Sequence, residues 1–312
     1  MSTATIITPD DELIFNIVDR PEVLSGDEYI KTVLIIKAYL ETLSSTDIVH
    51  HSNDNEATGN GNLRQVGIST FVNNKLIGKF CCSVWPSNVN TEECRSMVFE
   101  TLDQKAEYMK KFDQAFFGGQ KTIDEFWSKN PEKYDSINRN AQDPEVVAAV
   151  LFMIFGSFKS NKKIGDNRLL MRPSAYDWDL LNNLFVSTSN LNPFGFGGAS
   201  QVLDMGIHLN GRAYPKCNGL INFAKIVKDV TGEFLPHDAL EDSIVQYQAF
   251  TYAQSLTDDE LRIRFGSHAQ AQAYNINVLG GSYRVPWYLK EYYSHIIGIS
   301  SLAIVLNIYL RR

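Results

Sequence analysis

A chain of 312 residues with 44% hydrophobic content is long enough to bury one large core or two lobes, which excludes disorder as its main state. Acidic side chains outnumber basic ones 36 to 29, a net charge of -7, so any nucleic-acid contact has to come from a local basic strip. Four cysteines (Cys81, Cys82, Cys94, Cys217) lack paired CxxC spacing; they make neither a disulfide framework nor a zinc site, and a reducing compartment is expected.

Residues 1–26 read as an N-terminal arm, β-branched and apolar with a Pro9-Asp10-Asp11 break, and without the basic and apolar blocks of a secretory leader. Tyr29, Ile30, Val33, Leu34, Ile36 and Leu40 recur at helical spacing and predict an amphipathic helix over 27–43. His50 to Asn62 offers few core-forming residues and is expected to be a solvated loop, its two histidines lacking ligand partners at fixed spacing. Two β-rich runs, 66–72 and 76–85, flank Asn73-Asn74-Lys75 and predict a hairpin. Helices are expected from Thr91 and over 122–128, then an apolar one from Pro144 to Phe158 at the centre of the core.

Further on, Ser174 is read as the cap of a helix through Phe185, and other helices are expected over 200–209, 220–230 and 239–254. Thr257 and Glu260 form a capping box that opens a helix through about Asn275. The fold class predicted is mainly α: a two-lobed helical core with one N-terminal hairpin, extended terminal arms and no alternating βα units. Its parts are the arm 1–26, an N-terminal lobe 27–158 holding the hairpin 66–85, a basic interlobe linker 159–173, a C-terminal helical lobe 174–290 and an apolar arm 291–312. Ile296 to Leu310 is apolar but shorter than the ~20 residues a membrane span needs, so it is expected to dock on protein rather than in a membrane.

Motifs for chemistry are sparse. The cluster Gly195-Phe196-Gly197-Gly198 lacks the lysine and strand of a phosphate loop and reads as a turn. Cys217 with His208 or His237 is a thiol-nucleophile pairing that nothing in the sequence supports. The pairs Asp258-Asp259 and Glu241-Asp242 fall in first helical turns, where the helix dipole accounts for them. No catalytic residue, metal or cofactor is expected.

Charge is more informative. Residues 1–150 carry 14 basic and 23 acidic side chains, whereas 151–312 carry 15 and 13. Lys159, Lys162, Lys163, Arg168 and Arg172, with Tyr176 at the edge, form a basic and aromatic strip suited to tracking a phosphate backbone; Arg212, Tyr214 and Lys216 add a second cluster, Arg262 and Arg264 a third.

The stretch Gly211-Arg212-Ala213-Tyr214-Pro215-Lys216 resembles a segment of phlebovirus-type nucleoproteins. The order of Tyr247-Gln248-Ala249-Phe250-Thr251-Tyr252, Thr257 to Ile263 and His268 to Ala273 is similar to flexuous filamentous plant virus coat proteins, except that Thr251 stands where that family has an acid. The resemblance implies a viral coat or nucleocapsid protein that polymerises through its N- and C-terminal arms and holds single-stranded RNA in an interlobe groove, in virions and host cytoplasm. It is not an enzyme on that reading. The alternatives are a non-enzymatic helical structural or interaction protein without nucleic acid, and an enzyme whose site escapes motif reading.

Overall fold

In the computed structural model the described residues are 13–20, 26–161, 164, 166–172, 174–195, 202–215, 219–233, 235 and 237–267. Strands β1 (Phe15–Ile17), β2 (Ile48–Ala57), β3 (Leu63–Val72), β4 (Lys75–Ser83), β5 (Asp166–Met171) and β6 (Val202–Asp204) form a mixed sheet in the order β1-β4-β3-β2-β5-β6. The β2, β3 and β4 strands make an antiparallel meander; β5 runs parallel to β2, β6 parallel to β5 and β1 parallel to β4. A short pair, β7 (Leu220–Ile221) with β8 (Gly266–Ser267), lies apart.

Helices cover both faces. Helices α1 (Gly26–Leu40), α6 (Pro144–Ser160) and α7 (Ser174–Ser187) pack on one side, where Phe155, Phe158, Leu181 and Phe185 meet Val66, Ile68, Leu169 and Met171. Helices α8 (Met205–Ala213), α9 (Phe223–Thr231), α10 (Ala239–Ser255) and α11 (Asp258–Phe265) pack on the other, with Tyr247 and Phe250 against Phe71 and Leu170. The alternation along β5 decides the faces, since Leu169 and Met171 enter the first core and Leu170 the second.

Between β4 and α6 the chain inserts a helical subunit of α2 (Thr91–Ser96), α3 (Leu102–Ala115), α4 (Gly119–Glu125) and α5 (Pro131–Asn140). Its fastening is polar. Arg64 on β3 is fully buried and donates to the Val84 carbonyl at 3.0 Å, to Asn138 Oδ1 at 2.9 Å and to Asp113. Asp113 also accepts from Tyr134 at 2.8 Å and from Asn62 at 2.7 Å, so the buried charge pair has its remaining lone pairs satisfied, as such a pair requires.

The mainly-α expectation is overturned by this sheet, and so is the statement that βα units are absent, because β5, α7 and β6 form a parallel crossover. The hairpin is present, with Asn73 and Asn74 at φ 51° and 68°, as is the capping box of Thr257 and Glu260. The predicted loop at 50–62 is instead largely the central strand β2, and the predicted basic linker contains β5. Both strands were hidden by polarity: β2 carries Ser52-Asn53-Asp54-Asn55-Glu56, and the apolar core of β5 is only the three residues Leu169 to Met171. Of the expected arm 1–26, residues 15–17 form β1 and residues 1–12 and 21–25 lie outside the described residues, as does the whole expected arm 291–312 with Ile296 to Leu310. Among the described residues no helix is long and apolar enough to cross a membrane.

Candidate metal centre

Side-chain alternation sorts the polar residues of β2. His51 faces α6, its ring meeting Phe155 and Phe158 edge-on at 5.1 and 5.0 Å while Nδ1 lies 3.0 Å from Thr70 Oγ1. His50 faces α10, with Nδ1 3.3 Å from the Tyr247 hydroxyl. At the strand's period of two, Asp54 and Glu56 share the face of His50. Gln246 of α10 confirms this by donating Nε2 to Asp54 Oδ1 at 2.7 Å.

The first turn of α10 brings the next acid. Asp242 and Glu56 are 2% and 7% exposed, and a carboxylate oxygen from each, with a ring nitrogen of the exposed His237, lie within 4.8 Å of one another. Asp177 arrives from the other side of the sheet, in the first turn of α7. Asn55, which alternates to that side, donates Nδ2 to the Asp177 carbonyl at 3.0 Å and to its Oδ1 at 3.3 Å, tying α7 to the strand that carries Asp54 and Glu56.

Gly67 sets the height of α10 over the sheet. A β-carbon there would fall 2.1 Å from the Ala239 carbonyl carbon, so only glycine lets the start of α10 sit against β3. Gly67→Ala is expected to cost about 1–3 kcal/mol by overpacking and to weaken Mn²⁺ binding by displacing Asp242. Denaturant unfolding and titration calorimetry check both effects; an unchanged affinity would remove Gly67 from the site's support.

Four carboxyl groups gathered here repel one another. Burial, then the charges of Asp177, Glu56 and Asp242, push the Asp54 carboxyl well above its usual range. Burial pushes Glu56 and Asp177 up to about 8 and Asp242 to about 7, while Lys133 pulls Glu56 and Asp242 back down. Such a set needs protons or cations to be stable. A second observation favours cations: Asp242 Oδ1 and Gln246 Oε1 are buried without a hydrogen-bond donor, and each residue is 2% exposed. Glu56 and Asp242 present hard oxygens that suit Mg²⁺ or Mn²⁺, with a ring nitrogen of His237 beside them, and Asp54 and Asp177 add negative charge nearby.

The residues singled out from sequence lie elsewhere or are engaged. Arg168 pairs with Asp166 at 2.8 Å, Arg212 with Asp258 at 2.9 Å, Arg264 with Asp229 at 2.6 Å and Arg262 with Asp259. Arg172 stacks over Phe223 at 4.4 Å, Tyr214 is buried in the second core, and Lys159 ends α6. Lys162, Lys163, Lys216 and Cys217 fall outside the described residues. Tyr176 alone of that set adjoins the acids, next to Asp177 and 44% exposed. Asp54, Glu56 and Asp177 were not singled out, and His237 and Asp242 were weighed only as a thiol's partner and as a helix-dipole acid, although Asp54-Asn55-Glu56 places two carboxylates on one face of any strand and His237 stands five residues before Asp242.

No family model matches the chain and no curated protein matches it. Among solved structures the chain is similar to E. coli Exonuclease I in complex with a dT13 oligonucleotide, at 10% identity and a TM-score of 0.35, over 75% of this chain and 44% of that one. The chain therefore spans less than half the length of the structure it matches.

Proposed function

We propose that the chain is a divalent-metal-dependent phosphodiesterase that trims single-stranded nucleic acid from an end. The observation that carries this reading is the set Asp54, Glu56, Asp177 and Asp242, with Asp242 Oδ1 buried and lacking a donor. Two carboxylates would serve a glycosidase; four, with a neutral base beside them, fit a site for paired hard cations. Bound cations supply Lewis-acid polarisation of a phosphoryl oxygen and a nucleophilic water at neutral pH.

The chain's own groups have separate tasks. Glu56 and Asp242 would hold the cation and fix where the phosphate sits, while Asp54 and Asp177 add negative charge to the surroundings. His237, held below its ordinary pKa by burial and by Lys133, is neutral at pH 7 and able to take a proton from the attacking water. Tyr176, 44% exposed, offers an aromatic face near Asp177 and Glu56 for stacking a base, a sequence-tolerant contact of about 1–3 kcal/mol per base. Because Glu56, Asp177 and Asp242 are recessed, a strand end enters more readily than an uninterrupted strand.

This reading keeps single-stranded nucleic acid as partner but makes it substrate rather than cargo. The test uses DNA and RNA oligonucleotides labelled at either end, incubated with Mg²⁺ or Mn²⁺ and with a chelator. Stepwise release of mononucleotides that stops on chelation is expected, and the label lost first gives the polarity. No hydrolysis with either metal would overturn the proposal; binding that shields the strand from added nuclease would return the encapsidating reading.

A further inference from the structure

The helical insertion reaches the proposed site through two side chains. Lys133, on α5 and only 13% exposed, donates Nζ to the His237 carbonyl and, at 2.9 Å, to Asp238 Oδ2. The other oxygen of Asp238 caps α10, accepting from the Leu240 and Glu241 amides at 3.1 Å each. Phe126, which follows α4, sets its ring against the His237 imidazole at 4.6 Å and 81°. His237 itself stands at φ 57°, in the left-handed region, where a residue with a β-carbon persists only if its surroundings hold it there.

We infer that Lys133 is a positioning residue that, with Phe126, locks the His237 turn so that the imidazole stays beside Glu56 and Asp242. The inference rests on the hydrolytic reading above. It assigns the insertion a role: the buried tie of Arg64 and Asp113 anchors α3 and α5 to β3 through Tyr134, and the adjacent Lys133 in the first turn of α5 reaches across to the loop before α10. Without the Lys133 ammonium, the carbonyl of His237 loses its donor and the cap residue Asp238 loses its second contact. The exposed imidazole would then sample orientations away from the acids.

Two readouts on the full chain test this. In ¹⁵N-histidine-labelled protein, the His237 ring should show one fixed tautomer in the wild type and in Lys133→Arg, and averaged signals in Lys133→Met. In the oligonucleotide assay, Lys133→Met should lower kcat by roughly 10–100-fold, the range for lost supporting contacts, with KM little changed and Lys133→Arg restoring most of it. In a His237→Ala background the same substitution should cost less than about twofold, because the two act as a unit. Full additivity would overturn the inference and place the lysine's effect on the carboxylates directly. An unchanged ring signal in Lys133→Met would overturn it whether or not the chain hydrolyses oligonucleotides; an inactive wild type with a ring signal that does depend on Lys133 would sink the hydrolytic reading alone.

Discussion

Asp242→Asn is expected to lower metal-dependent hydrolysis by about 10³-fold or more while raising the melting temperature of the metal-free protein. The two effects have one cause. In the absence of cations, Asp242 is a buried carboxyl held near Glu56 with an oxygen that nothing donates to, so its ionised form is disfavoured. The amide carries no charge and offers two N–H donors to the neighbouring carboxylates. Relieving such strain at a functional site typically stabilises by about 0.5–2 kcal/mol, and the loss of function is its counterpart. Activity falls because a neutral amide oxygen is a poor ligand, and Lewis-acid stabilisation of a phosphoryl transition state is worth several kcal/mol. Asp54→Asn should behave alike, while Asp258→Asn, in the exposed first turn of α11, should leave activity unchanged. Circular dichroism melts in chelator, set beside initial rates in Mn²⁺, separate the two effects; a variant that is both less stable and less active would make Asp242 a structural acid.

How much of this was legible in the sequence depends on what each segment buries. Elements with an apolar period or a local cap were read: the 144–158 helix is α6, the 239–254 helix is α10, and the Asn73-Asn74 turn sits where the hairpin needs positive φ. β2 was not, because a hydrophobic-pattern reading takes HHSNDNEATGNGN for solvated loop. Most polar side chains of that segment are nonetheless committed: His51 to Thr70, Asn53 to Asn55 and the Gly67 carbonyl, Asn55 to Asp177, and Thr58, just past the strand, to Asp113. A central strand tolerates such a composition only where its polar groups find partners or hold a ligand, so the failure of the pattern coincides with the candidate site.

The electrostatic layout was legible as a sum and not as a map. The -9 balance of residues 1–150 marked an acidic half, but nothing local separated Asp54 and Glu56, which converge with Asp177 and Asp242, from the other acids. Helix-dipole reasoning also explained Glu241-Asp242 too cheaply: Asp238 already caps α10, which leaves Asp242 free to turn toward β2. The described arginines that suggested a phosphate track are mostly engaged in partly exposed ion pairs, such as Arg212 with Asp258 and Arg264 with Asp229.

Metal-free protein is expected to lose stability as pH rises from about 4 to about 8, and saturating Mg²⁺ or Mn²⁺ should largely abolish that loss. The sign follows from the direction of the shifts. Glu56 and Asp177 are raised to about 8 and Asp242 to about 7, from ordinary values of 4.5 for the glutamate and 3.8 for each aspartate. Between those limits the folded chain keeps protons that the unfolded chain has released. Unfolding therefore sheds protons, and raising the pH favours it. The scale is roughly 1.4 kcal/mol for each unit by which a folded-state pKa exceeds its unfolded one. Because the acids share one cluster, the loss should appear as one broad transition. A cation replaces those protons and binds the folded state alone, adding about 2.7 kcal/mol when present at a hundredfold over its Kd. Its stabilisation should be large at pH 8 and small at pH 5, where protons compete for the same oxygens. Melting curves across pH 4.5 to 8.5, with chelator and with 10 mM Mn²⁺, make the comparison. A metal-free melting temperature that stays level or climbs over that range would mean that the four carboxyls are paired by groups other than cations, and the proposed chemistry would lose its foundation.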